Sequence, residues 1–397
     1  MKIFNKGEWK KVKLGDIFNL QMGKTPLREN KLYWNKGEYN WISISDMNFS
    51  EKYVSFTKEK ITNLAVKESG IKIIPKNTVI MSFKLSIGKV KIVNDDIYSN
   101  EAIMAFIPKE NFFIDKNFLY YCLKSLKWNE GINKAVKGLT LNKNLISQKE
   151  IFLPDLAIQK EIANNLDGID NLLELRKKQL IYLKELSKSL FIRMFGDIRT
   201  NSKNWEIKNL DSIYYIRSSK RIFEKDYKKE GVPFFRSKEI VELSNSKNII
   251  PEIYISFDKY EELKKASGIP LKDDLLITAV GTIGKIWKVN YEKDFYFKDG
   301  NLIWLQLKNK NQFNTLSLKR ILEDSIKNEK ENLASGSAYN ALTIDKLKEF
   351  NIIMPPIELQ NKFAERVEKI EKLSFEIEKS IKEAENLYNS LMNKYFD

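Results

Sequence analysis

Residues 156–197 decide the fold, and they read LAIQKEIANNLDGIDNLLELRKKQLIYLKELSKSLFIRMFGD. Eleven of their positions step by three or four residues, which is the spacing of one face of a helix. We call these eleven residues the seam positions, and nine of them are apolar. They are Ile158, Ile162, Leu166, Ile169, Leu173, Arg176, Leu180, Leu183, Ser187, Leu190 and Met194. Adding 201 to each number gives a second set in the same register, with ten apolar members: Leu359, Phe363, Val367, Ile370, Ser374, Ile377, Ile381, Ala384, Tyr388, Leu391 and Tyr395. The sequence therefore predicts two long helices of matched length.

The two helices need a surface on which to bury these seams. About 36 residues at 1.5 Å each span about 54 Å. The simplest solution is an antiparallel coiled coil of the two helices with each other. The alternative is that each helix packs on its own globular domain, and the matched length favours the pair. Each helix follows an extended segment that ends in proline, and Gln159 and Gln360 hold equivalent places in the first turn.

Composition limits the possible chemistry. The chain has 397 residues, enough for two or three domains, and it contains no histidine. Serine or cysteine triads and the common zinc sites are thereby excluded, so any catalysis would rest on carboxylates or lysines. Cys122 is the only cysteine, there is no apolar run of about 18 residues, and the first residues lack a signal-peptide core. We expect a cytoplasmic protein without a membrane span.

The net charge of +15 is unevenly distributed. Residues 1–157 carry 26 Lys and Arg against 16 Asp and Glu, residues 198–357 carry 28 against 22, and the two helices are nearly neutral. A polyanion that contacts both globular segments would explain this pattern, and nucleic acid is the usual one. The alternative is a lysine-rich composition on a solvated surface.

The globular segments repeat as well, with an offset of 196. Trp9 and Trp205 open matching segments that predict a short edge strand, a helical turn and then a polar, basic loop. Residues 78–90 and 274–286 both predict a hairpin with glycine at the turn, at Gly88 and Gly284. Residues 281–285, GTIGK, lack the spacing and the hydroxyl of a phosphate-binding loop, so we interpret them as a hairpin turn.

This order predicts an α+β protein with a pseudo-twofold internal repeat. Its parts are two mixed α/β domains, residues 1–155 and 198–356, joined and spaced by helices in residues 156–197 and 357–397 that form an antiparallel coiled coil. Duplex DNA has twofold axes that match this pseudo-twofold repeat. The arrangement therefore suggests a protein with two DNA-reading domains held apart by a helical spacer.

In this arrangement the chain resembles the specificity subunits of type I restriction–modification systems. The resemblance covers nearly the whole chain. It rests on the duplication, the strand with Pro and Gln before each helix, LFIRMFGD at residues 190–197, GTIGK, and the opening tryptophans. Residues 155–157 and 356–358 depart from the Pro-Leu-Glu-Glu motif that is commoner before the glutamine in this family. The second helix also lacks the terminal glycine of the first.

The resemblance implies two target recognition domains that each read half of a split, double-stranded DNA sequence. It also implies two modification methyltransferase subunits that use S-adenosylmethionine, and restriction translocase subunits driven by ATP. This chain itself would have no catalytic residue, no metal and no cofactor. Independently of the resemblance, the matched seams of the two helices set one distance between the domains, and we expect it to correspond to half-site centres about one DNA turn, 10–10.5 base pairs, apart.

Contacts with DNA are expected from polar loops at strand ends, because Arg and Lys supply charge while Ser, Thr, Asn and Tyr reach backbone or base. The candidates in the first domain are Lys24, Thr25, Ser43, Ser45, Lys84, Lys89, Lys137, Thr140 and Asn142. Those in the second are Arg217, Ser219, Lys220, Arg221, Arg236, Lys238, Lys285, Ser337, Tyr339 and Asn340. Three residues beside the first helix's seam widen its apolar stripe and suggest partner docking: Leu172, Leu186 and Phe191.

Three alternatives stay open at this point. The chain could belong to a related modification-only or phage-defence complex, which also reads DNA. It could be a stand-alone nuclease or methyltransferase, which activity of the pure chain would reveal. It could also be a coiled-coil scaffold that binds no DNA.

Overall fold

The computed structural model describes residues 6–49, 51–54, 56–84, 86–128, 141–245, 247–333 and 341–397. The chain forms two compact units, and we describe each by itself. Unit 1 comprises residues 1–178 and 378–397, and unit 2 comprises residues 179–377. Each long helix therefore contributes one half to each unit.

Unit 1 alternates short strands with short helices before its long helix begins. Its strands are β1 (Lys10–Lys13), β2 (Phe18–Met22), β3 (Tyr39–Ile42), β4 (Tyr53–Val54), β5 (Glu59–Ile61), β6 (Val79–Ser82), β7 (Val90–Val93), β8 (Tyr98–Ser99), β9 (Ile103–Pro108) and β10 (Glu150–Leu153). Its helices are α1 (Leu14–Ile17), α2 (Asn63–Ser69), α3 (Lys116–Ser125), α4 (Lys143–Gln148), the first part of α5 (Leu156–Phe195) and the last part of α11 (Ile357–Phe396).

Unit 2 follows nearly the same order. Its strands are β11 (Glu206–Asn209), β12 (Tyr214–Arg217), β13 (Val232–Phe235), β14 (Tyr254–Ile255), β15 (Leu275–Thr278), β16 (Ile286–Lys288), β17 (Tyr296–Phe297), β18 (Leu302–Leu307) and β19 (Asn351–Met354). Its helices, besides the end of α5, are α6 (Leu210–Ile213), α7 (Ser237–Ser244), α8 (Phe257–Ser267), α9 (Thr315–Leu333), α10 (Ile344–Glu349) and the first part of α11 (Ile357–Phe396).

The sheets of the two units correspond. In unit 1 the strand orders are β2-β9-β6-β7-β4, β5-β3-β8 and β1-β10, and in unit 2 they are β12-β18-β15-β16, β14-β13-β17 and β11-β19. In the two-stranded sheets the strand that opens the unit pairs antiparallel with the strand that precedes the long helix. The predicted edge strand and helical turn at the start of each domain are thus confirmed.

The long helices agree with the repeated spacing. Each has 40 residues, and all eleven seam positions in each are buried or half-buried. In unit 1 the two helices run antiparallel, because Asn165 Nδ2 donates to the Tyr395 hydroxyl (3.1 Å) while Lys177 pairs with Glu385 (3.4 Å). The first helix ends before Gly196, whose φ of +82° favours glycine, as predicted.

The predicted hairpins are confirmed. β6 pairs with β7 and β15 pairs with β16, both antiparallel. Gly88 and Gly284 sit in the turns with φ of +85° and +78°. At Gly284 a Cβ atom would also lie 2.7 Å from Ile326, so a larger residue would clash with α9.

The two glutamines make the same contact in both units. Gln159 is 2% exposed, accepts from the Asp115 N–H (2.9 Å) and donates to Pro154 O (2.9 Å). Gln360 is 1% exposed, accepts from the Asn314 N–H (3.0 Å) and donates to a proline carbonyl (2.8 Å). Each glutamine therefore joins the start of a long helix to the N-cap of an earlier helix of the same unit, α3 or α9.

Candidate nucleic-acid interface

The loop after β2 is held by its own side chains. Lys24 Nζ donates to Ser69 O (2.5 Å), the Thr25 hydroxyl donates to the Glu101 carboxylate, and Trp41 Nε1 donates to Lys24 O (3.2 Å). The two predicted DNA contacts in this loop, Lys24 and Thr25, therefore also fix its shape. A loop ordered before binding loses less conformational entropy on contact with a ligand.

Arg28, in the same loop, is a candidate that our sequence analysis missed. Its guanidinium lies 3.9 Å from the ring centre of Trp34 and 4.7 Å from that of Trp41. Both terminal nitrogens bond Glu59, and the side chain is still about half exposed. A guanidinium held by two rings and a carboxylate presents its remaining N–H groups in a fixed direction. The nearby tryptophans were the available signal, but their approach depends on the fold.

The turn after β3 is organised by a buried aspartate. Asp46 Oδ2 accepts from the Ser43 N–H and hydroxyl, both at 2.8 Å, and its Oδ1 accepts from the Lys58 N–H (3.2 Å). The hydroxyls of Ser43 and Ser45 lie 2.9 Å apart. The two predicted serines thus lie side by side, and Ser43 bonds a carboxylate that the sequence analysis did not single out.

The glycine hairpins present lysines in both units. In unit 1 Lys84 is half-exposed, and Lys89 Nζ donates to the Asn48 side chain. In unit 2 Lys285 is exposed, and its N–H donates to Thr278 Oγ1 (3.0 Å), which ties the turn to the end of β15. The predicted lysines therefore stand at hairpin turns, where a ligand can reach them.

Asn142 caps a helix. Its Oδ1 accepts from the Leu145 N–H (2.8 Å) at the start of α4, which leaves its amide nitrogen for other contacts. Five other candidates lie outside the described residues: Lys137, Thr140, Ser337, Tyr339 and Asn340.

Two arginines, Arg217 at the end of β12 and Arg221 in the loop after it, differ in how many of their donors are already bonded. Arg217 is half-buried, bonds the Gln306 side chain and lies 4.1 Å from the ring centre of Trp304. Arg221 is 69% exposed and donates through Nε to Asp299 Oδ2 (3.1 Å). Arg221 keeps both terminal nitrogens available, so it is the better placed of the two to contact DNA.

Their neighbours anchor the loop to β17. Ser219 Oγ donates to Phe297 O (2.7 Å), and the Lys220 N–H donates to the Tyr296 hydroxyl (2.9 Å). The Lys220 ammonium is exposed. The loop thus has a fixed base beneath its basic side chains.

Arg236 and Lys238 are already paired with carboxylates. Arg236 Nη2 lies 2.6 Å from Glu239 and 2.8 Å from Glu252, and Lys238 Nζ lies 2.6 Å from Glu252. The bonds to Glu239 raise the pKa of the Arg236 guanidinium above its usual range. The DNA contact of these two cations stays a prediction, and it would require the pairs to open.

Contacts within unit 1 bring its predicted loops to one edge. The Lys24 N–H donates to Ser99 O (2.8 Å) beside the end of β3, and Lys89 reaches the turn after β3. The Leu141 N–H donates to Phe83 O (3.2 Å), which places the segment before α4 next to the hairpin. Loops from distant parts of the sequence therefore form one polar surface.

The predicted docking residues divide. Leu172 and Leu186 are 40% and 52% exposed, as docking requires. Phe191 is only 3% exposed and packs at ring-centre distances of 5.2 Å from Phe195 and 5.7 Å from Phe363. The Phe191 side chain is therefore not exposed for the predicted docking, because the start of α11 covers it within unit 2.

The described residues contain neither a candidate membrane span nor a candidate metal site. None of their helices is both long and apolar enough to cross a membrane. No group of three or more acidic or cysteine side chains among them is arranged to hold a metal ion.

Comparison with known proteins identifies the family. A family model described as the type I restriction modification DNA specificity domain matches twice, at residues 6–185 and 202–385. The type I restriction enzyme MjaIX specificity subunit of Methanocaldococcus jannaschii is 29% identical to this chain over an alignment that covers 59% of this chain. The chain spans only 58% of the length of that relative. The MjaVIII specificity subunit of the same organism is 25% identical over 97% of this chain and 91% of its own length.

Among solved structures, the S subunit of a type I restriction–modification system from M. genitalium aligns with a TM-score of 0.62. The alignment covers 100% of this chain and 98% of that chain, at 18% identity, so it speaks for the fold. The match of the family model to both repeats, together with the repeated sheets and long helices, shows that this chain belongs to the type I restriction modification DNA specificity family.

Proposed function

We propose that this chain is the non-catalytic subunit that reads a split DNA target, with one half-site for each unit. The observation that carries the proposal is the repeated surface. Both units place basic and hydroxyl side chains on the loop after β2 or β12 and on the glycine hairpin. Positive loops on a rigid sheet supply phosphate contacts, and a few arginines and amides supply base contacts.

The partners follow from the family. We propose that the chain binds double-stranded DNA together with two modification methyltransferase subunits, and that restriction translocase subunits join this assembly. The chemistry would then reside on the partners, with S-adenosylmethionine on the methyltransferases and ATP on the translocases. The exposed side chains of Leu172 and Leu186 support docking along the long helices, because apolar area left open on a helix favours a partner.

The long helices would set the gap between the half-sites. Forty residues at 1.5 Å each give about 60 Å of helix. For two DNA-reading domains on such a spacer, we propose half-site centres about one DNA turn apart. The gap should therefore depend on the length of α5 and α11, and the half-site sequences on the loops.

Methylome sequencing tests this proposal. A host that carries the chain together with its modification subunit should methylate adenines in one motif, made of two short half-sites around an unspecified gap. The control is the same host with the modification subunit alone, which should leave that motif unmethylated. A continuous motif, or the same motif in the control, would contradict the proposal.

A further inference from the structure

A basic groove in unit 1 has no role in the surface described so far. It has a volume of about 580 Å³ and lies along β2, beside α4. Its lining includes Asn19, Gln21, Lys72, Lys109, Lys143 and Ser147. Three lysines in one groove concentrate positive charge there.

The floor of the groove is the open edge of a sheet. β2 is one of the two outermost strands of its sheet, and among the described residues it pairs on one side only, with β9. The Gly23 N–H donates to Ile103 O, and the Lys109 N–H donates to Ile17 O. The backbone N–H and C=O groups of the odd-numbered residues of this strand therefore point towards β9, and those of the even-numbered residues point away from it. The backbone N–H groups of Leu20 and Met22 therefore point into the groove.

Two of the lysines are free to bind. Lys72 and Lys143 are exposed, and neither has an ion-pair or side-chain hydrogen-bond partner among the described residues. Lys109 instead donates to Gly15 O (2.9 Å), and Gln21 Nε2 donates to Ile73 O (2.8 Å), which holds the segment that carries Lys72 beside the strand. The groove thus offers two free ammonium groups above a row of backbone donors.

The groove adjoins the predicted DNA surface at two points. β2 runs directly into the loop of Lys24 and Arg28, and Lys143 directly follows Asn142. A strand of DNA that leaves this surface can therefore enter the groove without a gap.

We propose that this groove binds the phosphate backbone of the DNA that flanks the half-site read by unit 1. The inference rests on the proposed function. Ammonium groups and backbone N–H groups are the donors that phosphate oxygens accept, and such contacts position a protein without reading sequence. They extend the contact beyond the specific base pairs.

Unit 2 lacks the two free lysines. In unit 1 Lys72 stands two residues after the C-cap glycine of α2, and Lys143 is the first residue of α4. The matching positions in unit 2, counted from the C-cap glycine of α8 and the start of α10, are Pro270 and Ile344. The flanking contact therefore belongs to one end of the target, and the larger excess of basic residues in residues 1–157 agrees with this.

The first test is the salt dependence of DNA binding by the full chain. Each phosphate contact contributes about 0.9 to the slope of log K against log salt. The double variant Lys72→Ala, Lys143→Ala should flatten this slope by about 1.8. The factor by which the variant binds DNA more weakly than wild type should therefore shrink about twelve-fold between 50 and 200 mM salt. The control is Lys76→Ala, Lys160→Ala, which removes the same charge from exposed positions outside the groove and should change the slope far less.

The second test shortens the duplex beyond each half-site in turn, at constant target sequence. Trimming one flank should weaken binding by wild type but not by the groove variant, and trimming the other flank should affect both proteins equally. An unchanged salt slope, or equal flank dependence of variant and wild type, would overturn the groove proposal. If wild type does not distinguish target from scrambled duplex at all, the proposed function fails instead.

Discussion

Replacing Gln159 by alanine should loosen one unit and spare the other. The substitution leaves the Asp115 N–H and Pro154 O buried without their partner. An unsatisfied buried group costs about 1–3 kcal/mol, so the two together should cost about 2–6 kcal/mol. That is a large fraction of the 5–15 kcal/mol that ordinarily stabilises a domain.

Hydrogen exchange of α3 measures this effect locally, which suits a chain whose two units need not unfold together. Loss of 2 kcal/mol of opening free energy should speed exchange of the α3 amides about thirty-fold, at 1.36 kcal/mol for each tenfold. The α9 amides should be unchanged. Gln360→Ala is the matched control in unit 2, and it should show the reverse pattern because it releases Asn314.

The conservative variant Gln159→Glu separates the two hydrogen bonds. Its carboxylate can still accept from the Asp115 N–H, but at neutral pH it cannot donate to Pro154 O. Below the pKa of this buried carboxyl, the protonated group can donate, and slow exchange should return. Exchange that is equally fast in α3 and α9, or a glutamate variant that does not respond to acid, would refute this account.

Three further outcomes follow from the structure. Seven residues inserted in both long helices, after Lys178 and after Lys379, add about 10.5 Å of helix and should lengthen the gap by about three base pairs in methylome sequencing, with unchanged half-sites. Arg221→Ala should lower discrimination at one base pair by about 1–3 kcal/mol in DNA titrations, whereas Arg236→Ala should mainly lower the urea midpoint, since it strands a buried carboxylate. Burial raises the pKa of Asp274, so the native state holds the proton more tightly than the unfolded state, and stability falls as pH rises through the native pKa. When the free energy of unfolding is measured from pH 4 to pH 8, the variant Asp274→Asn should not show this loss of stability.

Local periodicity explains what could be predicted. The seam of the long helices, the glycine hairpins and the paired positions of Gln159 and Gln360 all follow from spacing along the chain, and each occurs twice. Such signals need no knowledge of distant residues. The structure accordingly confirms the two long helices and the hairpins.

Side-chain contacts that form only when the chain folds could not be predicted in this way. Phe191 looks like a stripe residue until Phe363, from the other long helix, covers it. Arg236 looks like a free cation until Glu252, 16 residues away, pairs with it. Arg28 gains its fixed direction only when the fold brings the tryptophans over it. The chemistry of a side chain depends on these encounters, which leave no mark in local spacing.

The same contrast separates what the two units share from what they do not. The glutamine contact is shared, but the surroundings of the next helical turns differ. In unit 1 the Tyr121 hydroxyl lies 2.6 Å from Asp167 and 2.8 Å from Asp170 of α5, and burial raises the pKa of Tyr121. In unit 2 the matching position of α9, also six residues after the N-cap, is Arg320, whose guanidinium lies 5.7 Å from the ring centre of Phe191 of α5. The shared bonds fix where each domain meets its helix, while the divergent ones match each domain to its own stretch of helix, because a buried hydroxyl needs an acceptor that an aromatic surface cannot supply.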